Sequence, residues 1–349
     1  MPNHPSPPFQ GRILITGATG FLGHNLSPYL ARRGYRLRAL VRPTSDYAFL
    51  EKLGIELAWG DVRDWKAVQA AVEGCQAVIH AAGLFRFWGP YRAFFAINVQ
   101  GTAHMLEAAY QAGVRRFIHI STIAVVGCPQ PGTVITEETP CHPQDAYQHS
   151  KLDAEELALL YHQDVGLPVI VLRPGAFYGP WGHYAFNRLF FEDPLKGLAV
   201  RIHHGRHLTF PVFVPDLVRV IETTLTQGRP GEVYNVAGKS LTHREINGII
   251  SRLMGRRDWY VNVPAGLMLT LARAWTWLSQ YTGREPYYPL NLAPYVFCDW
   301  NVSSEKAKRE LGFRPTPFEE GARQTLAWYA EQGYGPRGLG RIVDWLSRL

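Results

Sequence analysis

The sequence predicts an α/β fold, a doubly wound parallel sheet carrying a smaller C-terminal lobe. Three observations lead there. Short apolar runs alternate with helical patterns through the first half of the chain. A glycine-rich turn joins the first run to the first helix. Beyond Pro180 the alternation gives way to irregular stretches rich in aromatics, His and Pro. Strands alternating with helices at this spacing form βαβ units, whose crossovers cover a parallel sheet on both faces.

Residues 12–16 (RILIT) are a continuous apolar run too short for a helix and read as a buried strand. Residues 21–33 have apolar side chains at helical spacing and stop at Gly34. Pro28 falls inside that helix, where proline removes a hydrogen bond and crowds the preceding turn at ~3 kcal/mol, so a kink or early break is expected. Strands follow at 36–41, 56–59, 77–81, 116–121 and 168–172, separated by helices at 65–73, 91–112 and 146–164. In the second half, strands at 208–214 and 231–236 mix with helices at 216–227, 244–254 and 318–332. The helix at 244–254 opens on Thr242-x-x-Glu245, a capping box. Residues 266–281 (GLMLTLARAWTWLSQY) form a very apolar helix interrupted by Arg273. These elements divide the chain into a loose tail at 1–10, a nucleotide-binding unit at 11–180, a lobe at 181–335 that returns elements to the core, and an amphipathic tail at 336–349.

Composition excludes several classes. The chain has 349 residues, 36 Lys and Arg against 29 Asp and Glu for a net +7, 46% hydrophobic and 19% charged residues. This is globular composition, neither disordered nor fibrous. The four cysteines (Cys75, Cys128, Cys141, Cys298) form no CxxC pair and no metal-ligand spacing. They predict no metal site and no disulfide framework, and they suit a reducing, cytoplasmic compartment. The first ten residues hold four prolines and no apolar core, unlike a signal peptide. No run reaches the ~18 apolar residues of a membrane span. The positive balance fits an anionic membrane surface or a phosphate-bearing ligand better than nucleic acid, since no dense Lys/Arg block occurs.

The turn Thr16-Gly17-Ala18-Thr19-Gly20-Phe21-Leu22-Gly23 places a glycine every third residue between strand and helix. Glycine adopts positive φ without penalty, and its missing side chain lets backbone N–H groups approach a pyrophosphate at the helix N-terminus. A strand before it and a helix after it are the context of a Rossmann-type dinucleotide site. Some 20 residues on, a fold preferring NAD places an acid on the ribose hydroxyls. Here strand two ends on Arg42, with Thr44 and Ser45 close by. A guanidinium there can grip a 2′-phosphate, which favours NADP(H). Arg42 could instead stack on adenine or face solvent, which leaves NAD(H) open.

These residues resemble the extended short-chain dehydrogenase/reductase family, the NAD(P)-dependent epimerase/dehydratase superfamily. TGATGFLG is similar to its nucleotide-binding signature, and Tyr147-Gln148-His149-Ser150-Lys151 to its Tyr-x-x-x-Lys. Between and beyond them, in family order, stand Gly60-Asp61-Val62, His80-Ala81-Ala82-Gly83, Asn98-Val99-Gln100-Gly101-Thr102, Ser121-Thr122 and Arg173-Pro174-Gly175. The resemblance covers residues 10–332. Val41 to Asp46 and the stretch FRFWGPY at 85–91 resemble the branch of 3β-hydroxysteroid dehydrogenases, dihydroflavonol reductases and hopanoid-associated epimerase-like proteins. It implies a cofactor held by Gly17, Thr19, Gly20, Phe21, Leu22, Gly23, Arg42, Asp61, Val62, Ala81, Ala82, Gly83, Tyr147, Lys151 and Pro174. It further implies that Lys151 holds the nicotinamide ribose, that Thr122 supplies the third catalytic hydroxyl (Ser121 if the register slips by one), and that Asn98 lies near the site. A helix hydrogen bond that orders the backbone is an equal reading of Asn98.

Tyr147 and Lys151 are four apart on a helix, so both point from one face. A phenol with a pKa of about 10 is a poor acid-base at neutral pH, and a nearby ammonium is expected to lower it. As a lone pair these residues would be an ordinary surface contact; the glycine turn upstream gives them their chemical meaning.

The substrate is read from what replaces a sugar-nucleotide signature. In family members that bind nucleotide sugars an Arg-Asp-Phe often precedes a Val-x-Asp, but here Thr209 holds the arginine position, with Arg201 and Arg206 near enough in sequence to substitute. Phe85, Phe87, Trp88, Phe177, Tyr178, Trp181 and Tyr184 suggest a wide apolar pocket for a sterol-, terpenoid- or flavonoid-like alcohol or ketone. The same rings could simply fill the interface between sheet and lobe. The helix at 266–281 reads either as a core helix or pocket lid, or as a peripheral membrane contact anchored by Trp275, Trp277 and Tyr281. The basic tail at 336–349 could dock on the protein, a partner subunit (a homodimer included) or a bilayer. Three functions follow: an alcohol dehydrogenase or ketone reductase, an epimerase or dehydratase working on retained NAD, and a non-catalytic NAD(P)-sensing regulator, the last disfavoured by the presence of Tyr147 and Lys151.

Overall fold

The computed structural model describes residues 9–257 and 260–334; the tails expected at 1–10 and 336–349 lie almost wholly outside them. Seven parallel strands form one sheet. They are β1 (Arg12–Thr16), β2 (Arg36–Val41), β3 (Glu56–Trp59), β4 (Ala77–His80), β5 (Arg116–Ile120), β6 (Val169–Pro174) and β7 (Val233–Val236), in the order β7-β6-β5-β4-β1-β2-β3. Side chains alternate across each strand, so both faces must be covered. Ile13, Ile15 and Ile79 face α1 (Phe21–Arg32), while Leu14, Val78 and Phe117 face α2 (Trp65–Val72) and α3 (Gly101–Gln111). The long helix α4 (Ala146–Val165) covers β5 and β6 on that second face, and α5 (Val214–Gln227) joins α1 on the first. The chain changes direction across the sheet between β1 and β4, and the crevice at their carboxyl ends is where such sheets bind ligands.

Three local expectations are corrected. Helix α1 runs unbroken through Pro28. The lost hydrogen bond is offset by Leu22, Leu26 and Leu30, all buried against the sheet on the helix's inner side. The helix expected at 91–112 is three pieces: an α-turn Tyr91–Phe94, a wide π-helical turn Phe95–Gln100, and α3. A π-turn inserts a residue into the helical ladder, which re-aims the side chains it carries, Asn98 among them. The strand expected at 208–214 is two short pieces, Leu208–Thr209 and Pro211–Phe213, pairing with different partners.

The chain after Pro180 builds on the sheet. Strand β7 returns to pair with β6. Helix α6 (His243–Leu253), opened by the expected capping box, packs with α8 (Phe318–Glu331) over a cluster centred on Tyr178, Phe191 and Tyr329. Helix α7 (Ala265–Thr282) lies between them in sequence and stands apart: its buried residues are Met268, Ala272 and Ser279. The cysteine expectation is also corrected. Cys128 and Cys298, 170 residues apart, form a disulfide with Cα atoms 5.6 Å apart, while Cys75 and Cys141 are free. Wide sequence separation hid the pair; the fold brings together the loop after β5 and the segment leading to Trp300.

Candidate active site

The glycine turn is shaped by close approaches. Gly17 has φ +71°, and a Cβ there would stand 2.7 Å from the Ala81 carbonyl oxygen. A Cβ on Gly23 would meet the Ala18 carbonyl at 2.1 Å. Thr16 pins the turn to the end of β4: its hydroxyl accepts from the Ala82 N–H at 3.1 Å and bonds His80 Nδ1 at 2.8 Å. Gly20 caps α1 without a side chain, and the first turn, with Phe21 and Leu22, holds no acid. Thr19 is half-buried and Gly20 exposed. The result is a cradle of backbone donors at a helix N-terminus that any side chain would fill, which fits a dinucleotide pyrophosphate.

The residues expected on the adenosine side stand at the ends of β2 and β3. Asp61 pairs with Arg63 (2.8 Å), which, with the positive charge of Arg42 nearby, holds its carboxyl below the usual range. Arg42 is exposed. Val62 packs on Gly101, and its carbonyl accepts from His104 Nδ1 at 2.9 Å. Gly83 lies beside Asn98, and Pro174 ends β6 next to Val236.

Helix α4 opens at Asp145, whose Oδ1 accepts from the Gln148 N–H at 2.8 Å; burial pushes this carboxyl up to about 6. Two residues on, the buried Tyr147 phenol stands near the Thr122 side chain, whose hydroxyl oxygen accepts from the Ala124 N–H at 3.2 Å. The expected effect of Lys151 on Tyr147 is not what the structure shows. Burial raises the Tyr147 phenol above its ordinary value, Thr122 opposes this, and the charge of Asp145 adds to it. The Lys151 ammonium instead donates to the Ile120 carbonyl at 2.7 Å, and burial lowers it to about 8.

Ser121 and Thr122 diverge. The Ser121 hydroxyl donates to Glu155 at 2.5 Å, and Glu155 also pairs with Arg173 at 2.5 Å, all three buried. Ser121 therefore faces away from Tyr147, and Thr122 is the hydroxyl beside the phenol. Glu155, four residues beyond Lys151, was missed in the sequence, although its helical spacing from that lysine was a usable signal. Breaking such a buried pair costs roughly 3–5 kcal/mol. Asn98, buried in the π-turn, spends its whole amide on position: Oδ1 accepts from Leu84 N–H at 2.7 Å, and Nδ2 donates to the Leu84 carbonyl and to Ser150 Oγ at 2.8 Å. These bonds tie the loop after β4 to Ser150, the residue before Lys151.

That loop carries the rings nearest Tyr147. Phe85 lies 4.7 Å from the Tyr147 ring, centroid to centroid, and 5.4 Å from Tyr184. Phe87 stacks on Tyr184 at 5.5 Å and meets Tyr295 edge-on at 5.3 Å. Tyr295, which accepts a hydrogen bond from Gln148 at 3.1 Å, was unforeseen: it sits in an aperiodic stretch with no spacing to mark it. Three expected pocket residues stand elsewhere. Phe177 packs on Phe21 at 5.1 Å, Trp181 stacks on His24 at 4.6 Å, both on the α1 side, and Tyr178 is sealed in the α8 cluster. Trp88 is half-buried in the loop after β4. Thr209 is buried, Arg201 is turned toward Asn247 and Tyr260, and Arg206 is exposed. Among the described residues no group of three His, Cys, Asp or Glu is placed to hold a metal ion.

The sheet, the glycine cradle and the Tyr–Lys pair together define an oxidoreductase that takes a nicotinamide dinucleotide. The chain belongs to the NAD-dependent epimerase/dehydratase family, whose model matches residues 13–237. It is 32% identical over 332 residues to sterol demethylase protein B of Methylococcus capsulatus, covering 92% of this chain and 98% of that one. It is 30% identical over 338 residues to a dTDP-glucose 4,6-dehydratase of Streptomyces antibioticus, covering 91% and 92%. The crystal structure of DesIV, a dTDP-glucose 4,6-dehydratase from Streptomyces venezuelae with NAD bound, superposes with a TM-score of 0.75 at 27% identity, over 95% of this chain and 98% of that one. The chain is an enzyme of the extended short-chain dehydrogenase/reductase type.

Proposed function

We propose that the chain is an NADP(H)-favouring dehydrogenase or reductase that interconverts a secondary alcohol and a ketone on an apolar, sterol-, terpenoid- or flavonoid-like substrate. The observation that carries this reading is the wall of Phe85, Phe87, Tyr184 and Tyr295 beside Tyr147. Flat rings stack on such a wall, whereas a nucleotide sugar needs a cation for its pyrophosphate, and the family's arginine position holds Thr209. The similarity to a sterol-processing protein supports the same choice.

The bound dinucleotide supplies the hydride. The chain's own part is to hold and move a proton. Tyr147, kept protonated by burial, donates its phenolic proton to the carbonyl oxygen of a ketone, and Thr122 holds that oxygen in line. Lys151, one turn on, carries a charge at neutral pH that stabilises the phenolate left behind and anchors the cofactor ribose. Asn98 fixes the loop that bears the aromatic wall, and Glu155 fixes the strand ends from which Thr122 projects. Arg42 is the reader of the 2′-phosphate. A homodimer through the outer faces of α3 and α4, where Tyr110 and Leu160 are exposed, belongs to the same reading. So does a peripheral position at a membrane, where such substrates reside.

The test is net oxidation of NADPH with a panel of apolar cyclic ketones. An epimerase shows no net turnover of cofactor, so steady consumption separates the two.

A further inference from the structure

Helix α7 is an apolar helix that the fold leaves largely uncovered. Eighteen large apolar side chains are exposed among the described residues, and eight of them lie between 261 and 287: Val261, Leu267, Leu271, Trp275, Trp277, Leu278, Tyr281 and Tyr287. Trp277 is 60% exposed and Tyr281 72%. Six of the eight lie on α7 itself, and so many exposed large apolar side chains on one helix mark an interaction surface.

Two further observations identify the partner. The first is charge. Residues 259–284 contain no Asp or Glu, while Arg273 and Arg284 are both exposed. Aromatic amphiphiles and arginines around aliphatic side chains match the headgroup boundary of an anionic bilayer. The described helices include none long and apolar enough to cross a membrane, so the geometry is that of a helix lying on the surface. The second is what lies beneath. Met268, on the buried side of α7, packs in one cluster with Phe87, Tyr288 and Leu292, and Phe87 belongs to the wall beside Tyr147. Just past α7, Glu285 takes hydrogen bonds from both Arg86 (3.2 Å) and Tyr184, tying the loop after β4 to the end of this helix.

We infer that the outer face of α7 docks on an anionic lipid bilayer and that the substrate passes from the lipid, beneath this helix, to Tyr147. The inference rests on the reading of an apolar substrate, but the docking itself is measured without one. The full-length protein is floated with vesicles of phosphatidylcholine alone and with about 30 mol% phosphatidylglycerol. Wild type is expected to float with the anionic vesicles and to be released as salt rises to about 0.5 M. Trp277→Ser/Tyr281→Ser should cut the bound fraction at least tenfold with an unchanged Tm and unchanged turnover of a water-soluble ketone. Arg273→Glu/Arg284→Glu, which removes no apolar contact, should abolish the preference for anionic vesicles.

Failure of wild type to float overturns the docking. So does light scattering that shows an oligomer dissolved by Trp277→Ser/Tyr281→Ser, since a second copy then covers the face. Loss of binding on truncation after Tyr334, with Trp277→Ser/Tyr281→Ser still bound, overturns it as well. Flotation without turnover of any apolar ketone leaves the docking standing and removes the proposed reaction and, with it, the substrate route.

Discussion

Thr122 and Ser121 are neighbours with different surroundings, and in the proposed reaction Thr122 is the hydroxyl that serves. Ser121 donates to Glu155, while Thr122 stands beside the Tyr147 phenol. Thr122→Ala should therefore lower kcat at least tenfold with little loss of Tm, whereas Ser121→Ala should lower Tm with a smaller effect on kcat. Tyr147→Phe should lower kcat at least ~10²-fold while cofactor still binds, checked by fluorescence titration. Arg42→Asp should move the ratio of kcat/KM from NADP(H) towards NAD(H); a ratio that stays put removes Arg42 as the reader. Lys151 sets a pH limit. Its folded value of about 8 lies below the ordinary 10.5, so burial favours the neutral amine. The ammonium is lost as pH rises through about 8, and cofactor affinity should fall over that range. Stability runs the other way: the cost of burying charge is present below about 8 and is relieved between there and 10.5, so Lys151→Met should flatten that rise. The tyrosine and lysine were legible from their spacing. The direction of the tyrosine's shift was not, because it depends on burial and on where the lysine side chain turns.

At the scale of elements, strands β1 to β6 could be read from the sequence because each is an apolar run bounded by turn residues, and both sheet faces demand such runs. The wide turn at Phe95–Gln100 could not be read, since one inserted residue leaves the apolar pattern almost unchanged while re-aiming Asn98 towards Leu84 and Ser150. The short ribbons of the C-terminal half escaped for a different reason: two- and three-residue strands carry too little periodicity to signal themselves. That half also hid Tyr295, which reaches the aromatic wall through its packing against Phe87 and not through any motif. The Cys128–Cys298 bridge joins residues 170 apart in sequence, closing a long loop of chain. It predicts two titratable thiols in the denatured, unreduced protein, against four after reduction. Cys128→Ser should lower stability by about 2–4 kcal/mol in denaturant titration, since a cross-link over a long loop restricts the unfolded chain.

For the whole molecule, the division of labour follows the chain. The glycine turn and the ends of β1 to β4 build the cofactor cradle within the first hundred residues, where the sequence signals are dense. The aromatic wall beside Tyr147 is assembled from the loop after β4, Tyr184 and Tyr295, three pieces far apart in sequence. That is why the class of chemistry was readable from the residues and the make-up of this wall was not. Phe177 and Trp181, expected in the pocket from their place after β6, turn back over α1, and only the folded chain shows it. The most direct test of the account is the initial rate of NADPH oxidation by wild type and Tyr147→Phe with a set of apolar cyclic ketones and, in parallel, nucleotide sugars. The account predicts steady oxidation with at least one such ketone, reduced ~10²-fold or more by Tyr147→Phe, and none with nucleotide sugars. Conversion of a nucleotide sugar without net cofactor consumption, and no oxidation with any ketone, would contradict it.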